Sequence, residues 1–183
     1  MSAITAVRAL SNDIKKGSFI TKYVGEVVTA EEAAIRSNTD SKFYLFDLDF
    51  NCPDNSPCPF TVDASVYGNI SHFINHSCDP NLAIYASWIN CLDPNIPLLV
   101  LFAIKDIRKG EELCFSYSQT DTSRRRKGEV KCRCNTANCR KYSNQRKYIY
   151  FIGLLSVNFP FGKKIENLLK VELFSSQFLN VFF

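Results

Sequence analysis

The sequence predicts a small, mainly β domain with short helices. Three observations carry that expectation. Short runs rich in β-branched and aromatic residues recur along the N-terminal part of the chain. Clusters of Gly, Pro, Asn, Asp and Ser separate them. The helix signals between them are brief, so strands must build the core.

Phe19 to Val28 (FITKYVGEVV) alternates loosely and reads as two strands around a bend at Gly25. Thr29 followed three residues later by Glu32 is a capping box, which predicts a helix over Ala30 to Arg36. Phe43 to Phe50 (FYLFDLDF) alternates apolar and acidic residues, the pattern of a half-buried strand. Asn51 to Pro59 holds three prolines and two cysteines and reads as a loop. Phe60 to Ala64 reads as a strand and Val66 to Ile74 as a short helix. Asn75 to Asn81 (NHSCDPN) cannot prolong that helix, because Pro80 and its Asn, Asp and Ser neighbours favour turns. Leu82 to Cys91 and Pro97 to Ala103 (PLLVLFA) read as strands, the second fully buried. Asp106 to Glu111 is a turn, and Glu112 to Tyr117 a last short strand. Beyond it, Ser118 to Gly128 is polar and basic, as a linker would be. Lys131 to Tyr142 carries three cysteines. The stretch after Ser143 is aromatic, with mixed helical periodicity at Ile165, Leu168, Leu169 and Leu173.

Composition narrows the classes. With 183 residues, 46% of them hydrophobic and 13% aromatic, the chain can bury a core and is not a disordered segment. Eight cysteines are too sparse for a small disulfide scaffold. Met1 to Lys16 lacks the pattern of a signal peptide, and no stretch reaches the roughly 18–20 apolar residues of a membrane span. The expectation is a soluble protein in a reducing compartment, with no membrane partner. The net charge of +4 is an average over unlike parts. Residues 1–123 carry nine Lys and Arg against fifteen Asp and Glu, whereas residues 124–147 carry ten against one. An acidic body suits a basic substrate, and a basic segment suits a polyanion.

The cysteines of Cys132-Arg-Cys134-Asn-Thr-Ala-Asn-Cys139 are spaced C-x-C-x4-C. A tetrahedral zinc ion needs four ligands, so three clustered thiolates want a fourth from elsewhere. Cys78 in the NHSC turn is the candidate. Arg133, Arg140 and Lys141 favour thiolates around such a site. The bland alternative is unliganded surface thiols. Cys52 and Cys58 carry a weaker signal for metal or pairing, and Cys91 and Cys114 sit in strand patterns as core residues.

Gly68 to Asn81 is dense in polar side chains between apolar ones, and by itself could be an Asn-rich loop capping its own backbone. Its company argues otherwise. YVGEVV (23–28), YLFDLD (44–49), NHSCDPN (75–81), IRKGEEL (107–113) with Phe115 and Tyr117, and the C-x-C-x4-C run follow in that order. The ordered set resembles the SET-domain protein lysine methyltransferases over about Val7 to Tyr142. YGNISHF (67–73) and YLFDLD look most like the suppressor-of-variegation 3-9 branch, which methylates lysine 9 of histone H3.

The resemblance implies curved β-sheets in which the NHSC segment and the segment ending at Tyr117 thread as a pseudoknot, an exception to unthreaded chains. It divides the chain into a SET domain at 1–118, a basic linker at 119–130, a zinc-binding post-SET segment at 131–143 and a tail at 144–183. It implies a zinc ion (Zn2+) held by Cys78, Cys132, Cys134 and Cys139, closing the C-terminal segment over the active site. It implies S-adenosylmethionine as cofactor, held by Asn75 and His76 with Tyr67 beside them. Tyr117 is the expected catalytic tyrosine, and Tyr44 and Phe115 complete an aromatic lysine channel. A phenylalanine at 115 leaves room for di- or trimethylation. The implied partners are the histone H3 tail and chromatin proteins, in the nucleus, with a weak nucleic-acid contact through residues 124–147.

The chain departs from the family pattern in places. Ile4-Thr-Ala6 stands where the family has a Gly-x-Gly turn, and no cysteine-rich module precedes it, so N-terminal truncation is expected. Ser116 replaces an acidic residue and His72 an arginine. The stretch from Ser143 matches nothing the family leads one to expect and reads as an extension, the alternative being a partner-binding helix. The competing reading is a catalytically inactive SET-like zinc-containing module that binds chromatin.

Overall fold

In the computed structural model, a hairpin organises the molecule. The structure describes residues 6–9, 11–38, 44–48, 59–89, 93–117, 129–144, 147–148 and 181–182. Strands β1 (Arg8–Ala9), β2 (Phe19–Tyr23), β3 (Glu26–Thr29), β4 (Leu45–Asp47) and β5 (Phe60–Asp63) precede a 3-10 turn at Ile70–Phe73. Helix α1 (Ala30–Arg36) lies between β3 and β4. Then come β6 (Asn75–His76), β7 (Leu82–Ser87), β8 (Leu98–Ala103), β9 (Cys114–Phe115), β10 (Glu129–Lys131), β11 (Tyr142–Asn144), β12 (Lys147–Tyr148) and β13 (Val181–Phe182).

β7 and β8 pair antiparallel from Leu82↔Ala103 to Ser87↔Leu98. β2 adds to the free side of β8, with Tyr23 opposite Leu99. On the other side β9 pairs parallel with β7, and β6 pairs parallel with β9, through Asn75↔Cys114 and His76↔Phe115. The sheet order is thus β2-β8-β7-β9-β6. A second sheet, β12-β4-β5-β3, packs its inner residues with the first, and β1–β13 and β10–β11 are two-stranded pairs.

The core lies between the larger sheets. Phe46, Ile74, Leu82, Leu101, Leu113 and Phe115 are at most 1% exposed. Each such side chain contributes about 1.5–3 kcal/mol by leaving water. Gly25 makes the β2–β3 bend because a Cβ there would lie 2.5 Å from the Asp63 carbonyl oxygen. Gly110 closes the predicted turn at φ +84°, a conformation that favours glycine. Thr29 caps α1, its hydroxyl accepting from the Glu32 amide at 3.3 Å, over the residues the capping box predicts.

Several expectations need correction. The strand at 45–47 is buried on both faces, because Thr61 donates to the Asp47 carboxylate at 2.7 Å and lets an acidic residue sit inside. The helix expected over 66–74 is a 3-10 turn of four residues. Asn69 starts it by accepting from the Ser71 amide, and Ile74 ends it in an extended conformation. β8 is not wholly buried, since Leu98 is 38% exposed at its start. Cys114 is half-buried and not a core residue; its amide donates to Asn81 Oδ1 at 2.9 Å. The Asn51–Pro59 loop up to residue 58, Cys91, the 118–128 linker, most of the tail and the positions Ile4 and Thr5 lie outside the described residues.

Candidate active site and metal centre

The pairing of β6 with β9 brings the NHSC turn beside the segment that ends at Tyr117, the adjacency a threaded arrangement requires. Several bonds hold the two segments together. The Ser77 amide donates to the Phe115 carbonyl at 3.1 Å, and the Asn81 amide to the Cys114 carbonyl at 3.2 Å. Asn81 is 3% exposed and spends its side chain as a clamp. Its Nδ2 donates to the Glu112 carbonyl at 2.8 Å and to Glu111 Oε1 at 3.1 Å, while its Oδ1 accepts from the Cys114 amide. Asn75 Nδ2 donates to Glu112 Oε1 at 2.9 Å, so the motif's amides bridge to the acidic pair after the Gly110 turn.

Tyr117 sits in this frame with its hydroxyl donating to the Ile74 carbonyl at 2.7 Å. Its ring lies 5.0 Å from Phe115 and 5.3 Å from His76, centroid to centroid. Burial raises its phenol pKa well above the ordinary value, helped by Tyr44, Glu112 and Cys114, so it stays neutral. Tyr44 is partly buried against the core and stacks 5.1 Å from His72. Tyr23 donates its hydroxyl to the Tyr44 carbonyl at 2.9 Å, fixing that residue's backbone, and burial raises its own pKa as well. Phe115 is 1% exposed beneath Tyr117. Tyr67 stands apart at 69% exposure.

His76 joins two regions. The Tyr117 amide donates to His76 Nδ1 at 3.0 Å, so Nδ1 is the acceptor and the neutral ring carries its proton on Nε2. Nε2 faces Cys78 Sγ at 3.4 Å. Burial, aided by the Arg140 charge, lowers the imidazole pKa to about 4 and keeps it neutral.

Cys78, Cys132, Cys134 and Cys139 present four sulfurs within 4.8 Å of one another. β10 and β11 pair with Lys131 opposite Tyr142, and the Cys132 amide donates to the Lys141 carbonyl at 2.8 Å, pinching the loop between them. Asn135 and Lys141 take positive φ, of 54° and 72°, to turn the loop inward. Sulfurs at about 2.3 Å from a tetrahedral zinc lie roughly 3.8 Å apart. Cys78 and Cys132 Sγ atoms are 3.8 Å apart. Burial and the neighbouring thiols raise the Cys132 pKa, while hydrogen bonds from Thr136 and its neighbours overcome burial and lower Cys134 to about 6. Thiols this crowded share protons, and a divalent cation replaces those protons. The donor set, spacing and loop geometry fit zinc, which this cluster could hold.

Sequence reasoning missed three features. Asn81 is the clamp; the signal was its place in an Asn-rich turn beside a buried strand. In the sequence Arg140 is only a charge near the thiols. Its amide donates to Cys78 Sγ at 3.4 Å and its Nη2 to Ser116 Oγ at 2.7 Å. The short Ser116 side chain therefore receives the guanidinium. The β10–β11 hairpin had no periodic signal.

A SET-domain family model matches residues 6–118. Histone-lysine N-methyltransferase Su(var)3-9 of Drosophila pseudoobscura pseudoobscura is 47% identical over 137 residues, covering 70% of this chain and 21% of that protein. Histone-lysine N-methyltransferase SUV39H2 of Xenopus tropicalis is 44% identical over 145 residues, covering 72% and 34%. The solved structure of Arabidopsis thaliana SUVH6 in complex with SAM superposes with a TM-score of 0.63 at 32% identity, covering 78% of this chain and 31% of that one. The chain belongs to the SET-domain family. It spans about a fifth to a third of the length of these curated relatives. The relatives compared above are named for histone lysine methylation.

Proposed function

We propose that the chain transfers a methyl group from S-adenosylmethionine to a histone lysine, lysine 9 of histone H3, and adds two or three methyls. The observation that carries this reading is the partly buried, neutral Tyr117 held on the Ile74 carbonyl at the junction of β6 and β9. A bound cofactor supplies an electrophilic methyl on a sulfonium. The chain's residues must hold the substrate lysine's neutral amine in line with it. On the order of one lysine in a thousand is neutral at pH 7. The aromatic surroundings of Tyr44, Phe115 and Tyr117 disfavour an ammonium and so raise that fraction. The Tyr117 hydroxyl gives its hydrogen to Ile74, which turns oxygen lone pairs to an acceptor role. It orients the amine, a positional contribution, and weak C–H···O contacts refine the geometry.

Asn75 and His76 are read as the cofactor side of the site, through their backbone, with Tyr67 at the rim. The four cysteines hold zinc and close residues 131–143 against the NHSC turn. The relatives' names support a nuclear, chromatin-bound setting and a histone partner, and the acidic body suits a Lys- and Arg-rich tail. The test is calorimetric binding of S-adenosylmethionine, followed by mass spectrometry of a histone H3 tail peptide. Stepwise methyl additions that vanish when lysine 9 is replaced by arginine are expected. Absence of cofactor binding would overturn the reading.

A further inference from the structure

We propose that His76 is a positioning residue whose imidazole ties the cysteine cluster to the main chain of Tyr117. The inference rests on the reading of Tyr117 as the residue that orients the amine.

The backbone ladder between β6 and β9 has its last register pair at His76 and Phe115. Beyond it, the His76 side chain takes the Tyr117 amide on Nδ1 at 3.0 Å. The other ring nitrogen lies 3.4 Å from Cys78 Sγ. An imidazole that accepts on one nitrogen donates from the other, so the two contacts fix a single tautomer and ring plane. A thiolate bound to a metal is a strong acceptor for that N–H, and a ligand's outer partner orients the ligand. The side chain is therefore a rigid strut two bonds long in hydrogen-bond terms: Cys78 Sγ, His76, Tyr117 N. Tyr117's hydroxyl is fixed at its far end by Ile74 O, so the strut sets the near end of the same residue. Arg140 runs alongside, from its amide on Cys78 Sγ to its guanidinium on Ser116 Oγ, and braces the neighbouring residue. Metal in the cluster thus settles where Tyr117 stands as well as closing residues 131–143.

Two conservative variants divide the strut. His76→Asn keeps an oxygen near the place of Nδ1 and loses the donor to Cys78. His76→Gln carries an amide toward the place of Nε2 and loses the acceptor for Tyr117. His76→Phe keeps ring volume and loses both. The Tyr117 amide is followed by hydrogen exchange in the full chain, with cobalt(II) as the metal probe. Cobalt loading is expected to slow exchange at Tyr117 in the parent by about tenfold, the size of one hydrogen bond. It should not do so in His76→Phe or His76→Gln. The thiolate-to-cobalt absorption band should shift in His76→Asn and His76→Phe and keep its parent position in His76→Gln. In methyl transfer, kcat should fall about 100-fold in His76→Phe with KM for the peptide little changed, and His76→Asn should recover most of it. Metal-independent exchange at Tyr117 in the parent, or Asn and Gln variants that agree in every readout, would overturn the proposal. If His76→Phe does not fold, the Asn and Gln pair decides. A parent chain that transfers no methyl sinks the function proposed above, while exchange and the cobalt band still judge the strut.

Discussion

At the scale of single residues, buried polar atoms with named partners carry most of the consequences. Tyr117→Phe removes the hydroxyl that Ile74 O accepts and leaves a buried carbonyl without it. The expected outcome is a loss of about 100-fold in methyl transfer with an unchanged circular dichroism spectrum. Asn81→Ala strips the clamp from Cys114 N and the Glu112 carbonyl together. Urea unfolding should report a loss of about 3 kcal/mol at constant m, since orphaned buried groups cost about 1–3 kcal/mol each. Asp63 gives a pH signature. Burial opposes its ionisation, but hydrogen bonds from Arg36 and Ser65 and the Arg36 charge outweigh burial and hold its pKa below the ordinary value. A depressed carboxyl contributes stability that is full above the unfolded-state pKa of about 3.9 and is lost as pH falls through the folded-state value. Thermal melts in acid should show the loss, and Arg36→Ala should move its onset to higher pH. Arg36 also bonds Glu26 at 2.7 Å and Glu32 at 2.8 Å, so the variant loosens α1 from β3 as well.

At the scale of elements, legibility followed the source of each signal. α1 was readable to the residue because Thr29 and Glu32 are a local device that needs no tertiary partner. The β2–β3 bend was readable from Gly25, although its cause, the approach of the Asp63 carbonyl, was not. Gly25→Ala must push that carbonyl or its own strand aside, and a loss of about 1–3 kcal/mol in chemical unfolding is the expected result. β4 was misread as half-buried because Asp47 looks solvent-facing until Thr61, fourteen residues on, supplies its partner. The short helix expected over 66–74 is confined to a 3-10 turn at 70–73. Asn69 and Ser71 stop the winding with their own side chains, a competition that apolar spacing does not record. The β10–β11 hairpin was invisible, since three residues on each side carry no period and the loop they close is held from across the molecule.

At the scale of the molecule, the site is assembled from segments remote in sequence. The four sulfurs were named from C-x-C-x4-C spacing and the NHSC turn, and they do converge. What spacing could not show is that His76 and Arg140 both reach Cys78, because neither contact has a sequence pattern. If residues 129–142 owe their docking to metal, chelation should raise hydrogen exchange there while β7 and β8 stay protected. Cys134→Ser should do the same at lower metal content by native mass spectrometry. Uniform exchange across both regions would contradict it. The 54-residue separation of Cys78 and Cys132 also sets a clock. At about 5–20 residues per second, translation delivers Cys78 roughly 3 to 10 seconds before its first cysteine partner. During that interval β7 and β8 can already pair, while the thiol of Cys78 waits open to oxidants and stray metals. The cluster therefore cannot begin to close until residues 79–132 have been made.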